Sequence, residues 1–413
     1  MGVTIPAFRS PLTARRVRAH GIVLAAVIWT VYLWTLATPT LHDRNGLLKG
    51  TDFLHFYTLG SLALEHRGGD LYDMQAQSVI AQVRVPEAGR LLYVPLYGPQ
   101  VSLLFAPLAE LPYRVALILW LVANTIMYAL CCYAVWRTCP RLQTEKLIVF
   151  ILAAGYPAFV HLLAWGQTSG IALACFTATY LALRSGHPFV AGLAIGFLAF
   201  KPQLALASVA VFLLTWQWKI IGGALLTGLA QLAAGWMYYR RAVMTDYFEH
   251  LLHVQGVFSL LEPRPYQMHS LRSFWAMFVP SDRWAFILYV VSSVVVLAMT
   301  VRFWRGAGPF GLRFSALLLA SVLVSPHLTL YDLVILAPAF LLISDWAVEH
   351  APDPRIHAVG LVLYLCYLAP LIGPLSQWTR FQITVPAFVS LLWLAVRLAR
   401  ASRTTNSPSL APG

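Results

Sequence analysis

Apolar residues fall in long, nearly unbroken runs along this chain, divided by short polar segments. A helix needs about 20 apolar residues to cross a bilayer. Runs of that character lie near 21–37, 114–136, 146–163, 168–184, 188–200, 203–216, 219–238, 283–302, 312–326, 330–346, 356–373 and 381–398. They predict an all-α, polytopic transmembrane helical bundle of about 12 helices, with both termini on one side. Two connecting segments are long, 38–113 and 239–282. Within the first, Phe53 to His66 reads as an amphipathic helix lying along the interface. Val94 to Pro107 is apolar but too short to cross, and reads as re-entrant or interfacial.

Composition agrees with the pattern. Of 413 residues, 59% are hydrophobic and only 11% charged, too few to cover a soluble domain. The mean hydropathy is +0.69. The net charge of +13 does not point to nucleic acid, because the basic residues are scattered between apolar runs. There they set topology. One set of connections holds 16 Lys and Arg against 4 acids; the other holds 13 against 12. Basic excess marks the cytoplasm, so the termini are expected inside the cell membrane and the two long loops outside. Arg9, Arg15, Arg16 and Arg18 precede the first run, which lacks a small-residue cleavage site and reads as an uncleaved helix. The five cysteines show no CxxC or metal spacing and read as small core residues. Residues 1–403 are expected to form a single integral membrane domain, and 404–413 a polar tail. No P-loop or dinucleotide fingerprint is present.

The outer side collects the unusual polar residues. Asp52, His55 and Tyr57 stand in the stretch GTDFLHFYTLG, followed by LYD at 71–73 and YVPLYGP from Tyr93. WGQ, ending at Gln167, KPQ, from Lys201 to Gln203, and SPHLTLYD, with His327, Tyr331 and Asp332, cap three hairpins. The arm 188–200 would rise only about 20 Å as a helix, which places Lys201 below the outer interface. Ionisable groups at that depth line cavities or pair with one another. Each residue also has a structural reading. Lys201 can snorkel to the interface. Asp52 can cap the helix that starts at Phe53. Gln167 can satisfy a helix end. Tyr72 can anchor at the headgroups. YVPLYGP can be a rigid proline turn, and His327 with Asp332 a hydrogen-bonded pair. Convergence on one face favours a site.

Together these motifs resemble glycosyltransferase family 87, polyprenol-phosphate-mannose-dependent α-mannosyltransferases of the GT-C membrane fold. The likeness runs from about Asp52 to Asp332; the usual Tyr-Pro-Pro stands here as Tyr93-Val94-Pro95. The resemblance implies that Asp52 is the catalytic aspartate and that His327 lies near the donor phosphate. It implies a polyprenyl-phosphate-linked sugar donor, a lipid or glycan acceptor, membrane lipids around the chain and no nucleic acid partner. His55, Tyr57, Tyr93, Gln167, Lys201, Gln203, His327, Tyr331 and Asp332 are the expected substrate-binding set.

The chemistry is consistent with that map. An acceptor hydroxyl attacking an anomeric carbon needs a base, which Asp52 supplies. A departing prenyl phosphate needs positive charge, which Lys201 and His327 supply. No Asp-x-Asp pair is present, so neither metal nor other cofactor is expected. Two rivals remain from the sequence. A transporter or lipid-linked-sugar flippase would show matched halves and midplane charges, and none is seen. An O-antigen ligase or polymerase would use outer arginines, such as Arg240 and Arg241.

Overall fold

Lipid offers no partner to backbone N–H and C=O groups, so apolar segments satisfy theirs internally as helices. The computed structural model describes residues 13–253, 264–351, 353 and 356–404. Arg9, part of the second long loop and the polar tail after Thr404 lie outside those residues, whereas Arg15, Arg16 and Arg18 are in the first helix. The described residues hold helices and two isolated β-bridges but no sheet. In chain order the helices are α1 (Ala14–Leu36), α2 (Thr51–Leu64), α3 (Met74–Arg84), α4 (Gln100–Ala109), α5 (Tyr113–Trp136) and α6 (Lys146–Ala154). Then come α7 (Pro157–Trp165), α8 (Ser169–Arg184), α9 (Pro188–Gly196), α10 (Leu206–Leu214), α11 (Trp218–Leu252) and α12 (Leu271–Phe278). The last are α13 (Asp282–Arg305), α14 (Phe310–Val324), α15 (Ala337–Glu349), α16 (Ile356–Ile372), α17 (Ser376–Thr379) and α18 (Thr384–Thr404).

Each of the twelve apolar runs is helical, but among the described residues six helices are long and apolar enough to cross a membrane. The number is seven if α6 and α7, bent by 41°, make one span. Helices α9 and α10 have nine residues each and rise only about 14 Å. Pro188 opens α9, and Pro202 opens the 3-10 turn Pro202–Leu204 that precedes α10. Small residues let α9 lie directly on α11: a Cβ at Gly192 would stand 2.1 Å from the Ile220 carbonyl oxygen. Helix α11 runs well past 238 and is broken at Arg240, whose φ is 64° and ψ −167°.

The first long loop differs most from expectation. Helix α2 does not lie along an interface, because every residue from Phe53 to Ala63 is buried. The stretch is mostly apolar, and such a helix belongs inside a protein. Residues 94–99 are not helical. They lead into α4, which packs on α2 so closely that a Cβ at Gly60 would stand 2.5 Å from the Phe105 carbonyl oxygen. Tyr72 is buried rather than anchored at a surface, and its hydroxyl donates to the Tyr97 carbonyl at 3.1 Å. Asp73 accepts from the backbone N–H groups of Gln75 and Ala76 and caps α3. All five cysteines are free, and four are buried.

Helix α5 defines two ends. At its start Tyr113 donates to the Lys49 and Gly50 carbonyls, both at 2.9 Å. Beyond its far end, Asp345 accepts from the backbone N–H groups of Arg141 and Leu142 at 2.8 and 3.1 Å. Two connections assigned by charge to the same side therefore meet in space.

Candidate functional site

Two glycine turns build the site. Gly50 caps α2 with φ 67°, and Gly166 ends α7 with φ 66°, a region of backbone space that glycine enters at little cost. The turns face each other: a Cβ at Gly166 would stand 2.7 Å from Phe53 Cβ and 3.6 Å from Gly50 Cα. Tyr113 and Trp120, two turns apart on one face of α5, grip both. Tyr113 holds the Gly50 carbonyl, and Trp120 donates to the Gly166 carbonyl at 2.8 Å. The next residues in each turn are the polar ones.

Asp52 follows Gly50 by two residues and sits in the first turn of α2. Gly50, not Asp52, is the N-cap, and no side chain caps this helix. Asp52 Oδ2 accepts from Gln167 Nε2 at 2.7 Å. The same amide nitrogen donates to the Tyr331 hydroxyl at 3.1 Å. Asp52 is half-buried, and desolvation pushes its carboxyl up to about 6, against the pull of Gln167 and of the Lys201 charge. That value places it near neutrality, where a carboxylate is still ionised and basic enough to take a proton.

Behind this layer lies a buried ion pair. Lys201 Nζ donates to Asp332 Oδ1 at 2.5 Å and to Ser169 Oγ at 3.1 Å. Ser169 Oγ donates to the same Asp332 oxygen at 2.6 Å. Asp332 Oδ2 accepts from the Thr329 N–H and hydroxyl at 3.2 and 3.1 Å. The side chains of Lys201 and Asp332 are 3% and 1% exposed, so Lys201 does not snorkel. Its ammonium is committed to Asp332, and lies 5.2 Å from the centre of the Tyr331 ring.

His55, one turn along α2 from Asp52, is enclosed by Tyr93, with ring centres 4.7 Å apart, and by Tyr97 at 5.6 Å. Burial lowers its pKa to about 3, which keeps the imidazole neutral, and its Nε2 has no hydrogen-bond partner. The Tyr93 hydroxyl donates to the Thr51 carbonyl at 2.5 Å. Tyr57 is turned elsewhere, its hydroxyl donating to the Leu111 carbonyl at 2.8 Å. Gln203 is half-buried in the turn after Lys201. His327 is half-buried, and its carbonyl accepts from Ser325 Oγ at 2.8 Å.

The structure thus brings Asp52, Gln167, Tyr331, Lys201 and Asp332 together, with Tyr93 and His55 alongside. Tyr57 leaves the group. Sequence reasoning missed Ser169, Thr329, Tyr97, Tyr113 and Trp120. Ser169 opens α8 and reads as an ordinary helix-start serine, while Tyr113 and Trp120 read as membrane aromatics. Tyr97 and Thr329 had a visible signal, in YVPLYGP and SPHLTLYD.

Beside the site a cavity of about 370 Å³ opens between α1 and α7. Val27, Val31, Val160 and Ala164 wall it, and Lys49 and Thr51 also line it.

Comparison with protein families matches residues 96–326, more than half of the chain, to glycosyltransferase family 87. The chain belongs to glycosyltransferase family 87. It is a membrane glycosyltransferase, all-helical, as the sequence motifs implied. Neither the curated proteins nor the solved structures contain a match to it. The family 87 match holds Tyr97, Gln167, Ser169, Lys201 and Gln203, whereas Asp52 and Asp332 lie outside it. Contacts carry the matched region to them: Gln167 reaches Asp52, and Lys201 reaches Asp332.

Proposed function

We propose that this family 87 enzyme moves a hexose, mannose by its family resemblance, from a polyprenyl-phosphate sugar to a lipid or glycan acceptor. The site is assigned to the outer face of the cytoplasmic membrane, with cytoplasmic termini, on the sorting of basic residues described above. The acceptor oxygen forms the new bond to the anomeric carbon, and the bond from that carbon to the phosphate oxygen breaks. Prenyl phosphate leaves with the electron pair. The acceptor proton passes to Asp52, and attack opposite the leaving group inverts the anomeric centre. The observation that carries this reading is Asp52 itself, a carboxylate held by Gln167 and raised to about 6. The cavity between α1 and α7 supports a lipid-linked substrate, since its mostly apolar lining includes Thr51, the residue before Asp52. His327, half-buried in the Ser325–Thr329 turn, is assigned to the donor phosphate. Lys201, closed off behind Asp332, is not placed in contact with it.

Asp52→Asn preserves shape and removes the proton acceptor. Loss of a general base lowers rate by roughly 10²–10⁴. Purified variant and wild type, given a prenyl-phosphate sugar and acceptor, decide the matter: an active Asp52→Asn enzyme ends the assignment. Among the described residues no three His, Cys, Asp or Glu side chains stand close enough to hold a metal ion. The expectation from the missing Asp-x-Asp pair is that transfer survives chelator treatment unchanged; a loss restored by one divalent cation would contradict that.

A further inference from the structure

A buried ion pair needs a reason. Taking two charges out of water costs more than their attraction commonly returns, and apolar residues of similar size often do as well for stability. Lys201 and Asp332 are nevertheless placed with almost no exposure, too deep for a substrate phosphate to touch. Their contacts join three turns. Ser169 opens α8 directly after the turn from α7, Lys201 belongs to the turn before α10, and Asp332 to the turn that leads into α15. Two of these turns also carry the groups around Asp52. Gln167 is two residues before Ser169, and Tyr331 immediately precedes Asp332. The Lys201 ammonium lies near the Tyr331 ring, and Tyr331 shares the Gln167 amide with Asp52.

We propose that the Lys201–Asp332 pair, with Ser169, is a positioning device for the transfer reaction: it holds Gln167 and Tyr331 on Asp52 without touching either substrate. This rests on Asp52 as the base. The charged and titratable groups whose charge acts on Asp52 or feels it are Lys201, Asp332, Tyr331, Tyr93, Tyr97 and Tyr113, and His55 stands one turn along α2. Lys201 favours the ionised form and Asp332 opposes it, the cation having the larger effect. Removing both charges therefore makes Asp52 harder to ionise.

The test is the double variant Lys201→Met/Asp332→Asn, which leaves no unpaired buried charge, assayed beside Asp52→Asn. The expected result is a folded protein with wild-type melting, kcat lowered roughly 10- to 100-fold by misplacement of the base, donor KM within about twofold of wild type, and a pH midpoint of kcat moved upward. Ser169→Ala keeps both charges and cuts the link between turns; it should lower kcat at unchanged donor KM. That second variant decides the matter if the double variant does not fold. Wild-type kcat with an unmoved pH midpoint in the folded double variant, or wild-type kcat in Ser169→Ala, overturns the proposal. So does a defect confined to donor KM, which would mark Lys201 as a phosphate contact. Full activity in Asp52→Asn would instead remove the base reading on which the proposal stands.

Discussion

An acid that must take a proton near neutral pH has to be ionised there and still basic enough to hold what it takes. Asp52 reaches that condition by opposed effects: burial raises its carboxyl to about 6, while Gln167 and Lys201 draw it down. The base works only when deprotonated. Transfer should therefore rise as pH increases through about 6 and level off above it, measured as initial rates with purified enzyme. A flat profile there would exclude Asp52 as the base. Stability runs the other way. The folded carboxyl sits above its ordinary 3.8, so its contribution is present in acid and fades as pH rises through about 6. Asp52→Asn removes that loss and should melt at neutral pH no lower than wild type, while losing transfer. A site that trades stability for reactivity behaves in this way.

Among the elements, α9 and α11 show how closely this bundle is packed. Three glycines, Gly192, Gly196 and Gly223, line their crossing, and a Cβ at any of them would stand within 2.4 Å of a backbone oxygen on the facing helix. Small residues let membrane helices approach in this way. Gly192→Ala should force the helices apart and cost about 2 kcal/mol, read as a lower melting temperature and yield in detergent. Gly69→Ala, where a Cβ meets nothing within 4 Å, is the control and should be silent. Equal behaviour of the two variants would refute the close crossing. Helix α2 teaches a related lesson. The stretch from Phe53 to His66 read as an amphipathic surface helix, yet the fold buries every residue from Phe53 to Ala63, with His55, Thr58 and Ser61 among them.

At the scale of the whole molecule, orientation governs everything said about substrate. The meeting of the Arg141 and Asp345 connections at one end of α5, opposite Asp52, supports the sorting of loops by charge. Reporter fusions after residues 145 and 310 should read cytoplasmic, and fusions near residue 70 external. An Asp52 loop that reads cytoplasmic would sink the outer-face mechanism, because acceptor and donor would then be sought on the wrong side.

Patterning alone was enough for the fold class. Long apolar runs admit only helices in lipid, and the motifs around Gln167 and Lys201 were sufficient for the family. Asp52, Gln167, Tyr331 and Asp332 were all legible as polar residues at the ends of such runs. Their partnership was not. Asp52 and Gln167 are 115 residues apart in the chain, and Lys201 and Asp332 are 131 apart. No local period reports contacts over that distance, and the buried lysine looked like a free cation until its partner was visible. Tertiary structure also decided which helices are long enough to cross and that α2 is buried on all sides. Both depend on what packs against a segment, and a sequence read one window at a time does not contain that.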